Sequence, residues 1–356
     1  GDGAGGLHQH AASRAARAGA HRAPGLYQGS VALCHLAVVV REPGPVSLAA
    51  VVIGRNEGAR LLRCLEALKG HVALVIYVDS GSTDGSMAAA TQAGAEVVEL
   101  DMRMPFTAAR ARNAGLARIK DLSDAAFVQV IDGDCELQPG WIETAQEILE
   151  THPDVAVVAG RLRERSPEAK VWNQLADLEW DTTPGETDAV GGIAMLRSAA
   201  IEAVGGYRAT LVAGEEPELC LRLRRAGWRI WRLETEMALH DIAMTRFSQW
   251  WKRARRHGYA VAEGLHLHRQ SPEGFCKQQV RRALLWGSVL PLVTLLGCLI
   301  TPLALLLLLA WPAQVLRLKL RGSGWPEAFF LTVAKLPETQ GILSYHLAQL
   351  HKGGAW

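Results

Sequence analysis

The chain has almost no net charge. Its 38 Lys and Arg stand against 36 Asp and Glu over 356 residues, a balance of +2, so the molecule as a whole offers no field able to capture nucleic acid. Any basic function must be local. Organised cysteine is missing too: Cys34, Cys64, Cys135, Cys220, Cys276 and Cys298 include no CxxC pair and no metal-ligand spacing. That argues against a zinc module and a disulfide framework, and fits a reducing compartment. No internal repeat recurs at solenoid periods. The loop after the first apolar run, VVIGRNEGAR, is not a glycine-rich, lysine-bearing phosphate loop, which speaks against a nucleotidyltransferase. The run Val31 to Val40 follows basic residues like a signal core, yet no small-residue cleavage site precedes the folded region, so secretion is not expected.

What the chain does have is apolar material, 49% of its residues, enough for one large domain with an appendage. Residues 1–45, rich in Ala, Gly, Arg and His and without periodicity, read as a disordered or artefactual extension. From Leu48 onward short β-rich runs alternate with helical patterns, the signature of a doubly wound α/β fold. Strands are expected at Leu48 to Gly54, Ala73 to Asp79, Ala95 to Leu100, Ala125 to Asp132 and Val155 to Gly160. Helix starts are marked by Thr83 or Asp84, by Thr107 after Pro105, and by Pro139. Ala283 to Leu316 carries no charged side chain and belongs in a bilayer. The expected organisation is a domain over 46–265, a basic linker and transmembrane hairpin over 266–322, and an amphipathic tail over 323–356.

In open parallel sheets, ligands bind beyond the carboxyl ends of the strands, so polar residues that terminate apolar runs are the ones to inspect. Four places qualify. Asn56 and Glu57 follow the first run, and Asp79 ends the second with Asp84 close behind. The run DSGSTDGS also has the composition that a tight strand-to-helix turn needs, and both readings stand. Asp132 and Asp134 flank Gly133 after FVQVI, an acid-rich oxygen site that suits Mg²⁺ or Mn²⁺, or an exposed turn. Glu215 and Glu216 stand immediately before Pro217. Proline favours the first helical position, which would put Glu216 at a helix N-terminus, ionised and able to accept a proton, or simply capping.

Taken in order, VVIGRNEGARLLRCLEAL, VDSGSTDGS, ARARNAGL, IDGDCEL, GGIAMLRSAAIEAVGGY and GEEPELCLRLRRAGW resemble the inverting family 2 glycosyltransferases of the GT-A fold, over about Ala49 to Gly264. The resemblance implies a nucleotide-sugar donor, a divalent metal (Mn²⁺ or Mg²⁺), and transfer to an acceptor hydroxyl. It places Asp79 on the nucleobase and Asn56 and Glu57 against the nucleoside. Arg112 and Asn113 would line the nucleotide side, Asp132 would face the ribose, and Asp134 the metal. Glu216, with Glu215 beside it, takes the position of the catalytic base, where the family usually has Asp. Glutamate is one methylene longer, so either the acceptor sits further back or Glu215 shares the role. Gly191 and Gly192 match a segment where backbone approaches sugar and acceptor closely, or a strand bulge. His240 matches a histidine that in some relatives completes the metal site, and a neutral imidazole suits Mn²⁺ better than Mg²⁺. Arg246, Lys252, Arg253, Arg255 and Arg256, with Phe247, Trp250 and Trp251, match a basic aromatic helix that either faces the departing diphosphate or lies at a lipid interface. A non-catalytic membrane scaffold is the alternative, although every expected acidic position is filled.

A helical span needs about 20 residues, so Ala283 to Leu316 is long for one and short for two. Basic residues flank it on both sides, Lys277, Arg281 and Arg282 before and Arg317, Lys319 and Arg321 after. Basic flanks favour the cytoplasmic side, which predicts a hairpin turning near Pro302 with both ends and the catalytic domain in the cytoplasm. A membrane location suggests a lipid-linked or surface-polysaccharide acceptor.

Overall fold

The computed structural model describes residues 47–353; the extension expected over 1–45 lies outside the described residues. The first half alternates strand and helix: β1 (Leu48–Gly54), α1 (Ala59–Leu68), β2 (Leu74–Asp79), α2 (Ser86–Gln92), β3 (Glu96–Glu99), α3 (Ala108–Leu122) and β4 (Phe127–Asp132). Next come β5 (Cys135–Leu137), α4 (Trp141–Thr151), β6 (Val155–Glu164), α5 (Val171–Trp180), β7 (Gly185–Glu186) and β8 (Ala194–Arg197). The remainder of this part is α6 (Ser198–Ala203), α7 (Glu215–Arg225), β9 (Arg229–His240) and the long α8 (Phe247–Leu267). The strands form one sheet in the order β3-β2-β1-β4-β8-β6-β9-β5, with β7 paired to β9.

β3, β2, β1 and β4 run parallel; the near-continuous apolar sequences of β1 and β4 are buried, as expected of strands covered on both faces, while β3 (EVVE) lies half-buried at the sheet edge. β8 enters antiparallel between β4 and β6, so the sheet is mixed beyond β4. Register aligns the strand ends. Gly54 pairs with Asp79 and Ile53 with Asp132, which brings the polar ends of three strands to one edge.

Two glycines set close approaches in the core. α3 lies on the sheet where Gly115 faces Val51, with no room for a β-carbon between them. In β6, a Cβ at Gly160 would come within 2.5 Å of the Thr235 carbonyl and 2.7 Å of the Trp141 ring. Gly160→Ala is therefore expected to destabilise the fold by about 1–3 kcal/mol through overpacking, measured as a lowered midpoint in urea unfolding. An unchanged midpoint would mean that β6 and β9 separate at no cost.

After α8 the chain becomes apolar. One continuous helix runs over Lys277–Cys298, made of α9 (Lys277–Leu284), a π-helical turn Leu285–Val289 and α10 (Leu290–Cys298). A second runs over Pro302–Leu320 as a 3₁₀ stretch, Pro302–Leu309, leading into α11 (Ala310–Leu320). They are 22 and 19 residues long, each enough to cross a bilayer, and they fold back on each other just before Pro302, where Gly297 meets Ala304. The turn is bare, with Ile300 88% exposed. α12 (Trp325–Val333) then packs on α11, and α13 (Lys335–Gly353) lies along α8 and α9. α13 sits so close that Gly258 and Gly341 meet the opposing backbone directly, as does Gly287 in the π turn. A π turn loosens the regular ladder, and Thr339 of α13 donates its hydroxyl to the Ala283 carbonyl at 2.7 Å.

Candidate active site

The loops after β1 and β2 are tied together at the sheet edge. Asn56, in the left-handed region at φ 58°, donates its N–H to Ser82 Oγ at 2.9 Å and accepts from the Thr83 N–H at 2.7 Å. Asp79 is 2% exposed; its carboxylate accepts from the N–H groups of Gly81 and Ser82, both at 2.8 Å, and from the Tyr77 hydroxyl at 3.0 Å. In this arrangement Asp79 shapes the turn and presents almost no free surface to a base. Asp84 likewise shapes a turn, accepting from Ser86 N–H and hydroxyl, while Gly85 rather than Thr83 or Asp84 is the N-cap of α2. Glu57 pairs with Arg60 at 2.6 Å. Burial, reinforced by the nearby Asp134 charge, raises its pKa.

The second cluster is built by strand register. β5 and β9 pair antiparallel with Cys135 opposite His240, and this brings His240 to Asp134 across 106 residues of chain. His240 Nε2 lies 3.1 Å from Asp134 Oδ2. Burial opposes both charges, but the hydrogen bond and mutual attraction prevail, so the histidine is raised and the aspartate lowered. Trp180 leans on the imidazole, ring centroids 4.8 Å apart. Asp134, Cys135 and His240 have ligand atoms all within 4.8 Å of one another. Burial pushes the Cys135 thiol well up, and a soft sulfur suits Mg²⁺ or Mn²⁺ less well than oxygen does. Asp134 and His240 make an oxygen and nitrogen pair that fits a divalent metal, and the imidazole favours Mn²⁺ over Mg²⁺.

The members of the third cluster were each named from the sequence, but their meeting on Arg112 was not. Arg112 of α3 is 3% exposed and inserts its guanidinium among three carboxylates. Nη1 reaches Glu215 Oε1 at 3.0 Å and Glu216 Oε1 at 2.6 Å; Nη2 reaches Asp132 Oδ1 at 3.0 Å and the Gly192 carbonyl at 3.3 Å. Tyr207 lies under it, 5.7 Å from the guanidinium carbon to the ring centre. Thus Arg112 does not line an open pocket; it joins the end of β4 to the first turn of α7. Thr107 sets the helix that carries it, accepting from Arg110 N–H at 3.1 Å as N-cap. Asn113 spends its amide on the Tyr207 backbone, donating to its carbonyl at 2.7 Å and accepting from its N–H at 2.9 Å. That leaves little of it for a ligand.

α7 begins earlier than Pro217 suggests. Gly214, at φ 79°, is the N-cap, Glu215 and Glu216 are the first two helical residues and Pro217 the third. All three positions leave N–H groups unbonded in a helix, so proline is tolerated there too. Glu215 is 6% exposed, whereas Glu216 borders the Gly192 backbone, where a Cβ would sit 3.1 Å from its Oε1. Burial raises the Glu216 pKa, Arg112 holds it down and Glu215 raises it again, leaving it at about 7. Gly191 is exposed with open space around it.

The geometry is that of a sheet-edge site with two acidic centres bridged by one arginine. Residues 50–205 match the family model described as glycosyl transferase family 2. This chain carries a family 2 glycosyltransferase domain. The pre-mycofactocin glycosyltransferase of Mycobacterium tuberculosis is 30% identical over 233 residues, 62% of this chain and 48% of that protein. The succinoglycan biosynthesis protein ExoA of Rhizobium meliloti is 30% identical over 205 residues, 53% of this chain and 61% of that one. The chain thus spans about half to three-fifths of these curated relatives. A mannosyltransferase of Pyrobaculum calidifontis, solved with GDP-Man and Mn²⁺, shares the fold with a TM-score of 0.51 at 17% identity, over 86% of each chain. The glycosyltransferase domain therefore has a GT-A sheet.

The basic aromatic helix after the domain is α8. Trp250 is 8% exposed and stacks on Trp172 at 5.9 Å, with Phe330 of α12 at 5.1 Å. Arg253 pairs with Glu179 at 2.6 Å, and Arg255 donates to Ser344 at 3.0 Å. These residues join α5, α8, α12 and α13, and sequence alone offered no sign of those partners.

Proposed function

We propose that the protein transfers a sugar from a nucleotide-diphospho-sugar donor to an acceptor hydroxyl, with inversion at the anomeric carbon. The observation that carries this reading is the placement of Glu216 against the Gly192 backbone, held by the same Arg112 that holds Asp132 at the acidic sheet edge. In this reading the acceptor oxygen attacks the anomeric carbon as the bond to the diphosphate breaks, and Glu216 takes the acceptor's proton. One displacement inverts the centre. Asp134 and His240 would hold the metal, with Asp132 alongside, and Mn²⁺ or Mg²⁺ bound there would offset the charge of the leaving diphosphate. Asn56, Glu57 and the Asp79 turn form the wall against which the nucleoside lies.

The two apolar helices support membrane attachment. Their exposed Leu-rich surface, only 17% buried in the first and unburied in the second, gains by burial in lipid. The basic residues at both outer ends of the hairpin favour the cytoplasmic side, which supports a catalytic domain on that face. A single cysteine at Gly322, on a background without native cysteines, should be shielded from an impermeant reagent in intact cells. Labelling from outside would mean one crossing.

Donor identity is open to a direct screen. With nucleotide sugars in Mn²⁺, the cognate donor is expected to raise the melting temperature in proportion to the logarithm of its concentration over its Kd. No shift with any nucleotide, with and without Mn²⁺, would sink the donor site.

A further inference from the structure

A cavity of about 610 Å³ lies where α5, α7 and α8 meet α12 and α13. Leu175, Leu211, Val261 and Phe330 give it apolar walls, and its size is that of a ligand site. It reaches Gly214 and Pro217, which bracket Glu215 and Glu216 in the first turn of α7. At the other side, Leu178 and Leu331 line it while remaining 43% and 45% exposed, so the cavity opens across an apolar lip. The lip adjoins the hairpin: Leu331 belongs to α12, which packs directly on α11.

Several polar groups in the wall are engaged. Glu179 is paired with Arg253, Glu338 with Lys335, and Glu218 with Arg222 and His268. Arg256, exposed on α8, also lines the cavity, and among the described residues its side chain, like those of His257 and Gln279, has no hydrogen bond or ion pair. It sits one helical turn before Ala260, whose methyl is the atom nearest a Cβ built on Gly214, at 3.7 Å. An apolar cavity thus reaches from a half-exposed lip beside the hairpin to the turn that carries the proposed base, with the exposed Arg256 in its wall.

We propose that this cavity holds the head-proximal hydrocarbon of the acceptor, a membrane-resident amphiphile with an anionic head, whose distal chain stays in the bilayer. The acceptor role rests on the glycosyltransferase reading, whereas the binding rests on the cavity alone. The chain enters between α5 and α12, the head comes to lie by Gly214 and Arg256, and the hydroxyl to be glycosylated is brought to the Glu216 side. No new covalent step is involved.

The test uses the full chain in lipid nanodiscs and an alkyl phosphate carrying a diazirine near its head. Irradiation is expected to label Leu211, Ala260 or Val261 as well as the lipid-facing residues of α10 and α11. Ala260→Phe, which fills the cavity, and Leu178→Glu, at an exposed position on the lip that tolerates a charge, should each cut the cavity label tenfold or more. The label on α10 and α11 should not change. Arg256→Gln should weaken labelling by the phosphate but not by the corresponding alcohol. Label confined to α10 and α11, or cavity label indifferent to both variants, overturns the binding site. For the acceptor role, membranes from cells expressing the protein are given the labelled donor found by the thermal screen. Ala260→Phe and Leu178→Glu should lower lipid-extractable product tenfold while donor hydrolysis by water stays within about twofold. An equal fall in both activities in both variants makes the effect structural and overturns the acceptor role. If the unaltered protein neither hydrolyses nor transfers any donor sugar, the glycosyltransferase reading fails, and the labelling result still decides the cavity.

Discussion

Glu216→Gln is expected to lower turnover by about a hundredfold or more while leaving donor affinity unchanged, because it keeps the shape of the first turn of α7 and removes only the proton acceptor. The same change at Glu215 should cost less, since that carboxylate is buried behind its neighbour and serves Arg112. A pH profile separates base from brace. Burial raises the Glu216 pKa to about 7, and a base works only when ionised, so kcat/KM should climb as pH rises through about 7 and fall tenfold per unit below it. In Glu216→Gln that limb should vanish. Arg112→Met removes the cation that favours the ionised form, so its limb should move to higher pH; a purely structural arginine would lower the rate without moving it. Should Glu215→Gln prove the more damaging change, the two glutamates exchange roles.

Asp134→Ala should abolish transfer and remove the dependence of nucleotide binding on Mn²⁺, since a diphosphate then has no metal bridge to the protein. Calorimetric titration of a nucleoside diphosphate with and without Mn²⁺ reads this directly. The loss is expected to be larger than for His240→Ala, because the carboxylate brings charge and the imidazole only a lone pair. It should also exceed that for Asp132→Ala, which chiefly weakens donor binding. If Asp134→Ala binds nucleotide with the metal dependence of the unaltered protein, Asp134 is a turn residue and its closeness to His240 is an ordinary ion pair.

Local chemistry alone determined the parallel half of the sheet and the residues at its edge. β1, β2 and β4 are apolar runs ending in Gly54, Asp79 and Asp132, and since parallel strands pair in register, run ends that match in sequence match in space. The hairpin was equally legible, because a long uncharged stretch broken by Pro302 and flanked by basic residues leaves few alternatives. What only the tertiary structure decided is which distant groups meet. The antiparallel register of β5 and β9 puts His240 on Asp134, and no local pattern encodes a pairing across 106 residues. Arg112 reads in sequence as a residue of the nucleotide side through the family resemblance alone; close packing at Gly115 sets its helix on the sheet, and the structure makes it the tie between Asp132 and Glu216. Asp79 shows the converse. As the last residue of an apolar strand it has the credentials of a ligand contact, and only the structure shows that its buried carboxylate is also held by the N–H groups of its own turn.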